Sequence, residues 1–168
     1  SHTIDAKRFD GRVITSMRYK RDGTLTLLSH RSVQNKSQIF VVPAIGGEVK
    51  QITELPFDVG GIAWTQDSST ILFKGDEQQD DEYGSGYTTD LYAVSRDGGQ
   101  VSKLTSNPGN DSGVAVAPTG QKIAYIFSKE YASETDIMVV DISPDGSFKG
   151  SPRNITSNWD LLPGTLTF

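Results

Sequence analysis

Short apolar runs broken by turn residues recur along the whole chain, and within them apolar and polar positions alternate imperfectly. Ile39-Phe40-Val41-Val42 and Ile123-Ala124-Tyr125-Ile126-Phe127 are rich in β-branched and aromatic residues, which suit a pleated, half-buried surface. Asp-Gly and Gly-Gly pairs between such runs supply the positive φ that tight hairpin turns need. No window shows apolar positions recurring with a helical period, so the chain is expected to hold essentially no helix.

The runs repeat. Ile52-Thr53, Leu104-Thr105 and Ile155-Thr156 lie 52 and then 51 residues apart. Gly46-Gly47 and Gly98-Gly99 are also 52 apart, as are Trp64, Val116 and Phe168, each of which closes an apolar run. Tyr19 holds the equivalent place 45 residues before Trp64. Each period resolves into four strands: 13–19, 24–29, 38–42 and 49–53; then 61–65, 70–74, 90–95 and 101–105; then 114–117, 122–128, 136–141 and a last one near 153–156. Four strands in about fifty residues is the signature of a β-propeller blade, whereas a sandwich would need no fixed period. The fold class is therefore all-β: a partial β-propeller of about three four-stranded antiparallel blades plus the first strand of a fourth. The blades span about 12–53, 61–105 and 114–156, with the next starting at 165–168 and 1–11 as a linker or outer strand. Ser1 in place of Met, and a turn and strand start at the other terminus, make both ends look cut.

Composition narrows the function classes. Sixteen Lys and Arg against 21 Asp and Glu give a net charge of −5, with no basic stripe for nucleic acid. No uninterrupted apolar stretch is long enough to span a bilayer, so membrane insertion is not expected. With 0 cysteines, disulfides, thiolate metal sites and cysteine catalysis are excluded. A secreted or periplasmic location is favoured over a cytoplasmic one.

Several segments resemble a known repeat. Ala117-Pro118-Thr119-Gly120-Gln121-Lys122-Ile123-Ala124-Tyr125 resembles the turn and strand of the PD40, or TolB-type, propeller repeat. Asp90-Leu91-Tyr92-Ala93-Val94 with Asp97-Gly98-Gly99 and Lys103-Leu104-Thr105 resembles its second half, as does Gln38-Ile39-Phe40-Val41-Val42-Pro43 with Gly46-Gly47-Glu48 and Gln51-Ile52-Thr53. The turns at Gln66-Asp67-Ser68-Ser69 and Pro118-Thr119-Gly120 depart from the repeat's Ser-Pro-Asp-Gly. Thr15-Ser16-Met17-Arg18-Tyr19-Lys20-Arg21-Asp22-Gly23 is similar to the blade start of propellers in the prolyl oligopeptidase family, in its acylaminoacyl-peptidase and dipeptidyl-peptidase V-like branch. That resemblance implies a propeller that covers an α/β-hydrolase domain and admits short peptides. The implied partners are the rest of the propeller, that hydrolase domain and short peptides.

Catalytic chemistry is missing from the residues themselves. No Ser stands in a G-x-S-x-G elbow; Ser85, in Gly84-Ser85-Gly86, is flanked too closely. The two histidines, His2 and His30, are read as a terminal residue and a rim residue, not as bases. No catalytic residue, cofactor or metal is expected in this segment. One cluster stands out, Asp76, Glu77, Asp80, Asp81 and Glu82, in the 15-residue connection 75–89 of the second blade. Its ordinary reading is a solvated insert projecting from a rim. Its functional reading is a lip that meets a peptide's ammonium group or the hydrolase domain, and calcium binding is disfavoured because the carboxylate spacing is not that of a loop motif. Three N-x-S/T sequons begin at Asn35, Asn110 and Asn154. The aromatics on strands are assigned to packing between blades, and Trp159 to a rim or tunnel position. Two functions of different class remain: a non-catalytic propeller segment that filters peptides for a serine peptidase, and a TolB-like scaffold that binds protein partners in a bacterial envelope. A lectin- or lyase-like propeller has no supporting Trp or His cluster.

Overall fold

The strongest strands are the ones whose residues are apolar on both faces. A computed structural model describes residues 36–77, 88–129, 134–159 and 163–168. In it β1 (Phe40–Val41) and β2 (Lys50–Gln51) form a hairpin. The strands β3 (Val59–Trp64), β4 (Thr70–Gly75), β5 (Asp90–Ser95) and β6 (Ser102–Lys103) form one antiparallel meander. A second meander holds β7 (Asn110–Val116), β8 (Lys122–Ser128), β9 (Thr135–Ile142) and β10 (Phe148–Asn154). No helix occurs among the described residues. The meanders are the second and third blades of a partial β-propeller, and the hairpin is the outer part of the first. The inner strands β3 and β7 touch while the outer strands β6 and β10 do not, which gives the wedge a propeller needs. The strands expected at 13–19 and 24–29 lie outside the described residues, and 165–168 joins no ladder.

The second blade lies between the other two, so both of its faces are dry. The register sets Ile71 opposite Val94 and Phe73 opposite Tyr92, and this face packs on Ile39, Ile52 and Phe57 from the first blade side. The alternate residues Leu72, Leu91 and Ala93 face Ile123, Tyr125, Val140 and Ile142 of the third blade. Two buried faces turn the period-2 pattern into a nearly continuous apolar run, the reason the alternation in the sequence is imperfect. The innermost strands carry a ladder on one side only and bury less; Trp64 is 43% exposed, and Trp159 and Phe168 are also open to solvent. Of the strand aromatics assigned to inter-blade packing, Phe73, Tyr92 and Tyr125 are buried as expected, whereas Trp64 and Phe168 are not.

The repeated Ile/Leu-Thr pairs have a structural cause. The hydroxyls of Thr53, Thr105 and Thr156 accept the amide N–H of Ile39, Leu91 and Ile137 at 2.9, 2.9 and 2.8 Å. All three threonines are buried. Thr105 and Thr156 also donate to the carboxylates of Asp90 and Asp136, at 3.2 and 3.0 Å. Each staple ties the end of a blade's outer strand to the start of the strand inside it. Gln38 replaces the aspartate in the first blade and grips the next connection instead, accepting from Leu55 N–H at 2.9 Å.

A second repeated device joins blade to blade. The Ser37 N–H donates to Asp58 Oδ1 at 2.7 Å, and Val59 N–H donates to the Ser37 carbonyl at 3.2 Å. Fifty-two residues on, Thr89 N–H donates to Asn110 Oδ1 at 3.2 Å, and Asp111 N–H donates to the Thr89 carbonyl at 2.8 Å. Asn110, first noted as a sequon, is thus a clasp residue. Both inner strands also bulge at a glycine, Gly61 (φ 58°) and Gly113 (φ 61°), where the register shifts.

One turn is strained. Ser68 has a φ of 57°, the left-handed region that glycine occupies in the comparable turns at Gly120 and Gly146. Asp67 stabilises the turn by accepting from the Thr65 hydroxyl and from Ser69 N–H and Oγ. Those bonds, the Thr65 one foremost, hold its carboxyl below the ordinary aspartate range. A non-glycine residue there costs about 1–2 kcal/mol, partly offset by the entropy glycine adds to the unfolded chain. Ser68→Gly is therefore expected to stabilise by about 0.5–1 kcal/mol in a denaturant titration; an unchanged or lower midpoint would show the strain to be absent.

Candidate functional site

The connection 75–89 leaves β4 at the end of the blade where the staples and clasps also lie. The backbone of Asp76 bonds back to Asp58, with its N–H 3.4 Å from the carbonyl. Glu77 points over the outer strand, where its Oε2 is 2.9 Å from Lys103 Nζ. The same ammonium lies 2.9 Å from Asp90 Oδ2 and 5.7 Å from the centroid of the Tyr92 ring. The structure thus brings together Glu77, Lys103, Asp90 and Tyr92 at the root of the connection. Asp80, Asp81 and Glu82 lie outside the described residues, as do Ser85, His2 and His30.

Electrostatics follow from the packing. Lys103, and after it Tyr92, hold the Glu77 carboxyl below its ordinary value. Burial works against the Lys103 ammonium, yet its bonds to Asp90 and Glu77 outweigh that and raise its pKa. The Tyr92 phenol is pushed up, first by burial and then by Glu77. Asp111 lies beside this group, fully buried and with no salt bridge to any described residue. Burial lifts its pKa to about 6; Asp90 adds to the rise, while Thr105 and Asn107 oppose it.

The cluster holds three carboxylates and one ammonium around a phenol. It can attract a cation but offers no activated nucleophile. A cation arriving at Glu77 competes with Lys103. Among the described residues no group of three metal-ligating side chains comes together. Sequence reasoning singled out Asp76 and Glu77 but missed Lys103, Asp90 and Asp111. The repeat carried a signal for the last: Asp111 stands 52 residues after Val59, so a carboxylate replaces a valine of the clasp.

Three comparisons bear on this arrangement. Residues 10–133 match the model of the dipeptidyl peptidase IV (DPP IV) N-terminal region. The chain is 28% identical to the uncharacterized peptidase YuxL of Bacillus subtilis (strain 168), over 73% of this chain but only 22% of the relative's length. In fold it is similar to a putative TolB from Agrobacterium tumefaciens, with TM-score 0.56 and 15% identity over 70% of this chain and 40% of that one. It is similar also to a puromycin-hydrolyzing peptidase of Mycobacterium tuberculosis, with TM-score 0.54 and 16% identity over 71% of this chain and 20% of that one.

Proposed function

Because this chain belongs to the dipeptidyl peptidase IV N-terminal region family, we propose that it is the non-catalytic propeller segment of a serine peptidase, filtering short peptides for an α/β-hydrolase domain. The observation that carries this reading is the family match over residues 10–133, in a chain whose own residues form no nucleophile elbow. The rim at Glu77, Lys103 and Asp90, with Asp76, Asp80, Asp81 and Glu82 along the same connection, is the part of this segment that meets the peptide's amino terminus or the hydrolase domain. A lip of carboxylates attracts an ammonium group without reacting with it. The likeness to a TolB is one of fold and adds no weight to a scaffold role.

The test is made in the full protein that carries this segment. Neutralising Asp76, Glu77, Asp80, Asp81 and Glu82 together is expected to raise KM for free-amine peptides more than for N-blocked ones, with kcat nearly unchanged. An equal effect on both substrate types, or none, overturns the role of the connection. In the same protein, kcat/KM is expected to fall steeply as peptides around one scissile bond are lengthened. A rate independent of peptide length overturns the filter itself.

A further inference from the structure

The two described seams of the propeller share one clasp, and one of the positions at which they differ is fully buried in the second seam. Between the first and second blades the clasp residue on the inner strand is Val59, which packs against the apolar cluster of Ile39, Phe57 and Phe73. Between the second and third blades the same place is taken by Asp111, which is 0% exposed, lies beside the like charge of Asp90 and has no counter-ion among the described residues. A buried carboxylate with no counter-ion favours the neutral acid there, since the charged form loses its hydration and the neutral Thr105 and Asn107 side chains only partly make up for it.

The surroundings reinforce this. The elements packed against β7 are β3, β4, β5 and β8. From β5 comes Asp90, a like charge, and from β8 comes Tyr125, whose phenol is itself raised by burial and then by Asp111. Thr105 and Asn107 approach from the connection after β6 but carry no charge. No titratable residue lies on β3, and Lys74 of β4 lays its stem along Gly61 instead. Lys103, the cation that touches Asp90, is committed to Asp90 and Glu77.

We propose that the seam between the second and third blades is a proton-controlled joint with Asp111 as its switch. As the neutral acid, Asp111 lets the seam close; when it ionises, an unpaired charge sits beside the clasp that Asp111 N–H and the Thr89 hydroxyl make across it, at 2.8 and 2.9 Å. The joint then opens more often. The first seam, with Val59, has no such control.

The sign follows from the raised value. A folded-state pKa of about 6 against an ordinary 3.8 favours the closed seam at low pH, and that advantage is lost as pH rises through about 6. Between pH 5 and 7.5 the opening equilibrium rises about tenfold.

Hydrogen exchange in the full chain reads this directly, after correction for intrinsic exchange rates. The Asp111 amide is expected to lose about tenfold in protection over that interval, while the Val59 amide, its counterpart in the other seam, changes little. Asp111→Val, which restores the residue of the first seam, is expected to abolish the difference. Equal protection of Asp111 at both pH values, or a pH dependence that survives D111V, overturns the proposal. A carbon-13 titration of the Asp111 carboxyl in the unaltered chain needs no variant: a midpoint near 6 supports the switch, and one near the ordinary 3.8 overturns it.

Discussion

Phe73→Ala is expected to lower the unfolding free energy by about 3–5 kcal/mol, the range for emptying a large aromatic from a core. Phe73 is 0% exposed and stacks on Tyr92 with ring centroids 5.5 Å apart, and Tyr92 stands at the same distance from Phe57. Removing the ring leaves a cavity on the face that meets the first blade. Leu72, one residue earlier, points the other way into the cluster shared with the third blade, and Leu72→Ala is expected to cost about 2–5 kcal/mol. The two variants should therefore damage different seams. Denaturant titration gives the totals, and hydrogen exchange assigns them: amides of the first seam lose protection in F73A, and those of the second seam in L72A. If both variants weaken the same amides, the blade is not packed independently on its two faces.

Thr105→Val is the second large effect, at about 2–3 kcal/mol. The substitution keeps the shape of the side chain but deletes the oxygen that receives Leu91 N–H, leaving a buried donor without an acceptor. It also removes the hydroxyl that donates to Asp90, leaving that carboxylate its contact with Lys103. Thr105→Ser should retain most of the stability, because the hydroxyl remains. A valine variant as stable as the parent in thermal unfolding would show that the repeated threonine is a packing residue and not a staple.

Much of the fold was legible in the sequence because the devices that build it recur. The strands expected at 90–95 and 122–128 coincide with β5 and β8, whose ends are set by a staple and a turn respectively. Strand ends without such marks were harder to place. The outer strand expected at 101–105 is confined to Ser102–Lys103 in the ladder, since Thr105 is drawn into its staple. The last strand, expected near 153–156, instead runs Phe148–Asn154, because its bulge lets the hairpin at Pro144-Asp145-Gly146 start the pairing earlier. The inner strand β7 likewise begins at Asn110, four residues before the expected 114, because the clasp extends it across the seam. The rim was legible only in part. Runs of carboxylates draw the eye, whereas Lys103 and Asp90 become neighbours through a pairing of strands that no local pattern announces. Asp111 is visible only when the two inner strands are superimposed and a valine is found to have become an acid.

The staples close each blade within itself, whereas most of what joins one blade to the next is apolar surface and a short clasp. Such a unit is suited to duplication: a copied blade brings its own closure and presents greasy faces that accept almost any sister. Asp111 breaks that indifference. A recombined gene carries Asp111 along with the third blade, so whichever blade stands before it must bury an acid at their seam, a demand that Val59 of the second blade never makes.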